Sequence, residues 1–250
     1  MQNKIRNFLD QLAAEKGVKI LFACESGSRA WGFPSPDSDY DIRVIYKHDL
    51  DWYLNLHQQA DTLEQMHEDL DISGWELKKL LLLMAKSNVT VFEWIQSPLI
   101  YRQVPEFLES LHKLAVYFFS PIAAMHHYQQ LTAKFLEKIN QEEQAKLKDF
   151  FYALRAVLSG AWIGKYQEIP PLEIIRLQAL LPNSYSKKIN QLKDIKAEKE
   201  EKYGLEIDIE LIQLLQNIYD NNKTIAADLP AGKGDMTRLS NFFIRVLKEV

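Results

Sequence analysis

The sequence predicts an α+β protein, with a small mixed sheet and flanking helices first and an all-helical region after. Two observations carry this. Short apolar runs rich in β-branched and aromatic residues, Val18 to Ala23 and Ile42 to Tyr46, occur within the first 105 residues. From Pro105 onward the apolar residues recur at helical spacing, without strand signals. The chain is therefore divided at 105, into a sheet domain over 1–105 and a helical domain over 106–250.

In order, Ile5, Phe8, Leu9 and Leu12 mark an amphipathic helix over 2–15, which Gly17 ends. Residues 18–23 form a buried strand, and a Gly27-Ser28 turn leads into a short helix over 28–33. Pro34 and Pro36 impose an extended or turning segment through Asp37, Ser38 and Asp39. Residues 40–46 form a second strand, followed by a short helix over 49–56. Residues 61–72 are less regular, ending in a strand at Leu70, Asp71 and Ile72. Ser73 and Glu76 have capping-box spacing, which starts a helix there that runs to about Lys86. Asn88 caps another helix through Trp94, and Leu99 to Arg102 reads as an edge strand.

In the second half, helices are expected over 107–119, 121–140 and from Leu147 to Trp162. Pro170 and Pro171 break the chain before a helix that reaches Leu181. The charge run 187–202 is a solvated helical face. Two more helices follow, over 208–221 and after Asp235.

Composition narrows the function classes. The 250 residues are 47% hydrophobic and 26% charged, as in soluble globular proteins. No apolar stretch approaches the ~20 residues that span a bilayer. The N-terminus has no signal-like apolar core, and the one cysteine, Cys24, excludes an intramolecular disulfide. Together these imply a cytoplasmic protein without a membrane partner. The net charge of −4 advertises no basic nucleic-acid surface, and the acidic excess lies in residues 1–105.

The candidate chemistry is concentrated between residues 24 and 46. Asp39 and Asp41 share one face if both are extended, because side chains alternate along a strand. Two such carboxylates can ligate magnesium, which takes oxygen ligands and keeps waters and phosphate oxygens in its shell. A third carboxylate is needed from another strand, and Asp71 is the best placed; Asp69 and Glu64 substitute if the register differs. Aspartates 37, 39 and 41 also suit a plain turn. Gly27 and Ser28, after a strand, can turn backbone N–H groups and a hydroxyl toward an anion. Arg29 is either a phosphate contact or the partner of a nearby acid. Lys148, Tyr152, Arg155 and Ser159 recur on one stripe of the 147–162 helix, where cation and ring could meet triphosphate and base. His126 and His127 do not share a helix face and complete no metal set. Cys24 reads as a small apolar residue, and Trp31, Trp75, Trp94 and Trp162 as core anchors.

Gly27-Ser28, ten residues, then Asp39-Tyr40-Asp41-Ile42 resembles the signature of the polymerase-β-like nucleotidyltransferase superfamily. The wider strings, Gly27 to Phe33 and Asp37 to Arg43, are similar to the predicted nucleotidyltransferases associated with RNA ligases in bacterial RNA-repair gene clusters. Asp71 to Leu77, Glu93-Trp94 to Ser97-Pro98 and Leu154-Arg155 to Trp162-Ile163 match that family too, so the resemblance spans roughly residues 20 to 175. It implies magnesium, as two ions with manganese as a substitute, and a nucleoside triphosphate donor. Asp39, Asp41 and Asp71 would be the metal ligands and catalytic carboxylates. Gly27 and Ser28 would hold the triphosphate; Arg29, Lys148, Tyr152 and Arg155 are candidate nucleotide contacts on their own residue chemistry, outside the superfamily's signature.

The expected activity is transfer of a nucleoside monophosphate to a hydroxyl with release of pyrophosphate, the family context pointing to an RNA end in repair. Two alternatives remain: a protein or small-molecule acceptor, as in adenylylation, and an inactive nucleotide-binding regulatory module. The oligomeric state is not readable from these residues.

Overall fold

A computed structural model describes residues 1–57, 59–141 and 144–249. The elements are α1 (Gln2–Lys16), β1 (Lys19–Glu25), α2 (Gly27–Trp31), β2 (Tyr40–Lys47), α3 (Leu50–Tyr53), β3 (Thr62–His67) and β4 (Leu70–Glu76). They continue with α4 (Leu77–Ala85), α5 (Val89–Ile95), β5 (Ile100–Gln103), α6 (Pro105–Phe118) and α7 (Pro121–Gln141). The remainder holds β6 (Ala145–Lys146), α8 (Leu147–Tyr166), α9 (Ile174–Leu177), α10 (Asn183–Glu198), β7 (Gly204–Leu205), α11 (Ile209–Ile225) and α12 (Met236–Glu249). The protein is thus α+β. Among the described residues no helix is long and apolar enough to cross a membrane.

The chain forms two compact units that interleave in sequence. One comprises Met1–Ala30, Asp39–Phe118 and Lys233–Val250; the other comprises Trp31–Ser38 and Phe119–Gly232. A single cut at 105 does not reproduce this division. Helices α6 and α12, which their spacing alone assigned to a helical domain, pack in the sheet unit. Phe107 meets Phe242 at 5.8 Å between ring centroids, and Phe243 meets Tyr53 at 5.3 Å. Buried Lys47 donates to the carbonyls of Val246 and Leu247 at 3.1 and 3.4 Å, satisfying acceptors that the end of α12 leaves open. Apolar periodicity shows that a helix has a face to bury, but not which partner buries it.

The sheet has the order β3-β4-β2-β1-β5. β2 and β4 are parallel and the other neighbours antiparallel. Ile5, Leu9 and Leu12 of α1 share one core with Ile20, Ile42, Val44, Leu70 and Ile72. In β4 burial alternates strictly, which puts Asp71, Ser73 and Trp75 on the face opposite Leu70 and Ile72.

Two expectations change here. Residues 62–67, which looked irregular because Glu64 and Gln65 interrupt the alternation, form the edge strand β3. Ser73 lies inside β4, opposite Glu64, and does not cap a helix. Glu76 is the N-cap of α4, its carboxylate accepting from the N–H groups of Lys78 and Lys79 at 2.7 and 3.3 Å.

The second unit is helical apart from the short β6–β7 ladder. Its core joins Phe33 to Phe135, Phe151, Leu154, Leu158, Ile189 and Leu211. The charge run does form a helix, α10, but its Lys196 is buried and donates to Ser35 Oγ at 2.6 Å.

Candidate active site

The site begins with Gly27, at the start of α2. Its φ is +60°, in the left-handed region. A Cβ there would collide with Asp41 Oδ2 and come within 2.9 Å of Asp41 Cγ. Glycine is required twice over, by the turn and by the carboxylate set against it. The neighbouring Ser26 N–H donates to the Asp41 carbonyl at 2.8 Å, tying the end of β1 to the start of β2.

Asp41 and Asp71 are register partners on parallel β2 and β4, so both carboxylates leave the same face of the sheet. Arg43, two residues after Asp41, shares that face. Its Nη2 donates to Asp41 Oδ1 at 2.7 Å and to Asp71 Oδ2 at 2.9 Å, and its Nη1 donates to the Asp71 and Ile42 carbonyls at 3.0 and 3.2 Å. Burial pushes the Asp41 carboxyl above its ordinary range; Arg43 pulls it down, and Asp71 and Asp39 push it up. A cleft of about 480 Å³ opens beside Asp71 and Arg43, lined also by Glu64 and Ser73 among others, though not by Asp41.

Behind β2 stands Glu25, which is fully buried. Its Oε1 accepts from the Asp41 N–H at 2.8 Å, and its Oε2 accepts from the Tyr101 hydroxyl. Burial raises its carboxyl, against the lowering effect of these two donors. Glu25 thereby fixes the backbone from which the Asp41 carboxylate projects. Neither Glu25 nor Arg43 was among the residues singled out in the sequence. The available signals were a glutamate closing an otherwise apolar strand and an arginine two positions after an aspartate on a strand.

The other sequence-derived candidates fare differently. Asp39 is exposed at the entry to β2. Arg29 donates to the Asp39 carbonyl at 3.1 Å and lies 4.0 Å over the Tyr40 ring, so it braces that entry. Ser28 is buried, 6% exposed, in the first turn of α2. Asp37 belongs to the second unit, where it accepts from the Glu201 N–H at 2.8 Å. Among the described residues no three carboxylate, imidazole or thiol groups form a metal-holding group. The donor chemistry nevertheless suits magnesium, which needs one or two carboxylates and leaves other positions to water and phosphate oxygens. Two hard oxygens already converge on a single cationic nitrogen.

Lys148, Tyr152 and Arg155 lie in the second unit on α8, where Arg155 is buried, Tyr152 is half-buried and the Lys148 side chain is partly exposed. Arg155 is 2% exposed, stands 4.2 Å over the Trp31 ring and donates to the Leu172 carbonyl at 3.3 Å. Lys148 pairs with Glu201 at 3.0 Å, and Tyr152 packs edge-on against Trp31. Trp31 Nε1, Ser159 Oγ and the Gln178 amide are buried without a hydrogen-bond partner among the described residues. His126 contacts Gln129 and His127 packs on Tyr128. Cys24 is buried and donates to the Trp94 carbonyl, and burial raises its thiol pKa, which removes it as a nucleophile.

Residues 1–245 match the RNA repair pathway DNA polymerase beta family. The chain belongs to that family. It is 36% identical over 265 residues to the uncharacterized protein YcgL of Bacillus subtilis (strain 168), covering 100% of this chain and 98% of the relative. A solved nucleotidyltransferase-like protein from Exiguobacterium sibiricum aligns with 100% of this chain and 80% of its own, at 13% identity and a TM-score of 0.33. That superposition is too loose to carry an argument. The chain, a member of that family, carries Asp41 and Asp71 as partners on adjacent strands of one sheet, and Asp71 lines an open cleft.

Proposed function

We propose that this protein is a magnesium-dependent nucleotidyltransferase that transfers a nucleoside monophosphate from a nucleoside triphosphate to a hydroxyl at an RNA end. One observation carries the reading: Asp41 and Asp71 oxygens converge on one nitrogen while Gly27 closes against the other Asp41 oxygen. Asp41 and Asp71 would hold the ion, with Asp39 adjacent to them in the chain segment that enters β2. When bound, the ion supplies positive charge for the phosphate oxygens and manganese substitutes for magnesium.

The chain's own residues do the rest. Gly27 leaves room for the carboxylate, and Glu25 holds the Asp41 backbone in register. Asp71, which lines the cleft, would take the acceptor proton. The acceptor oxygen bonds to the α-phosphorus as the bond from that phosphorus to the bridging oxygen breaks, and pyrophosphate leaves with the electron pair.

The test is incubation of full-length protein with each α-labelled triphosphate, magnesium or manganese, and a panel of RNA ends, proteins and small hydroxyl compounds. Label on RNA that Asp41→Asn abolishes supports the proposal. Label on protein alone would sink the RNA acceptor, and binding without transfer to any acceptor would sink the enzyme.

A further inference from the structure

Arg43 is not an ordinary surface ion-pair partner. Its side chain is 16% exposed, and it bridges two carboxylates from neighbouring strands through one nitrogen. Its other terminal nitrogen is anchored on two backbone carbonyls, so the guanidinium is fixed in its plane by β2 and β4. Two carboxylates this close repel each other, and the cation offsets that repulsion. The oxygens it holds are Asp41 Oδ1 and Asp71 Oδ2, one from each carboxylate of the pair. A divalent ion ligated there must share them with Nη2 or displace it.

We infer that Arg43 is a built-in counter-ion of the aspartate pair that competes with the divalent ion for Asp41 Oδ1 and Asp71 Oδ2. This rests on the reading of those aspartates as ion ligands. The consequence is a site with weak affinity for the ion alone. Phosphate oxygens of a nucleotide supply further ligands and negative charge, so the ion and the triphosphate enter together. Arg43 thereby couples ion binding to nucleotide binding.

The experiment is Mn²⁺ binding to the full-length protein without nucleotide, read from the paramagnetic resonance of free Mn²⁺, for wild type, Arg43→Gln, Arg43→Lys and Asp41→Asn. An adjacent charge shifts carboxylate affinities by about tenfold or more. Arg43→Gln is therefore expected to bind Mn²⁺ about tenfold more tightly, with Arg43→Lys between it and wild type. Without ions Arg43→Gln should melt below wild type, and Mn²⁺ should close the gap. Unchanged or weaker Mn²⁺ binding by Arg43→Gln, with binding still lost in Asp41→Asn, overturns the inference alone. Absence of binding in every protein overturns the ion-site reading as well. If Arg43→Gln does not fold, Arg43→Lys decides by the same criterion.

Discussion

The two compact units surround their buried cations differently. In the sheet unit, Arg43 is set against the Asp41 and Asp71 carboxylates, and Arg43 and Asp71 line an open cleft. In the helical unit, buried Arg155 donates to a carbonyl and stands over the Trp31 ring, and buried Lys196 donates to a serine hydroxyl. The first arrangement leaves carboxylate oxygens that an incoming cation can take over. In the second, a fixed dipole, a ring and a hydroxyl offset the burial of the cation. The proposed ion site rests on the sheet unit.

The largest test of this contrast is removal of either aspartate. Asp41→Asn and Asp71→Asn are each expected to reduce nucleotidyl transfer about a hundredfold to a thousandfold, with melting temperature little changed. A large fall in melting temperature with activity retained would make the pair structural.

Gly27→Ala comes next. The added methyl must displace the Asp41 carboxylate or unwind the left-handed turn. Transfer should fall about a hundredfold and Mn²⁺ binding should weaken with it, since a misplacement of about 1 Å costs that much.

Arg155→Ala reverses the pattern. It leaves a cavity and an unsatisfied carbonyl in the helical unit, costing about 2–4 kcal/mol in urea unfolding, while Mn²⁺ affinity stays at the wild-type value. Loss of Mn²⁺ binding in this variant, with folding intact, would break the contrast.

The smallest effect is one of pH. Burial raises the Glu25 carboxyl above its ordinary 4.5, so the folded state keeps that proton to higher pH than the unfolded chain. Its contribution is complete below about 4.5 and is lost as pH rises through the folded value. Glu25→Gln has no such proton to lose. Its stability relative to wild type should therefore improve as pH climbs above about 4.5. A difference independent of pH, measured by urea unfolding across that range, would remove Glu25 as the group concerned.

Much of the sheet unit was legible beforehand. Asp71 lies on a later strand as expected, but near its start and not at its end, and strands at Val18 to Ala23 and Ile42 to Tyr46 are visible as apolar runs. The edge strand β3 was not, because a solvent-facing edge needs no apolar face and Glu64 and Gln65 conceal its alternation. Ser73 and Glu76 have capping-box spacing wherever they fall, and only strand pairing showed that Ser73 is in β4. Lys148, Tyr152 and Arg155 fall on one helix, α8, as their spacing implies. The burial of Arg155 depends on Trp31 and Leu172, which no local pattern connects to it.

By itself the sequence determined the α+β class, the helical character of the second half and the glycine–aspartate motif. These rest on local periodicity and on residue types that short-range sterics demand. Only the tertiary structure decided that Asp41 and Asp71 are register partners, that Arg43 and Glu25 complete their surroundings, and that α12 belongs with the sheet. Each of these depends on contacts between distant residues, and hydrophobic pattern specifies that a face is buried without specifying against what.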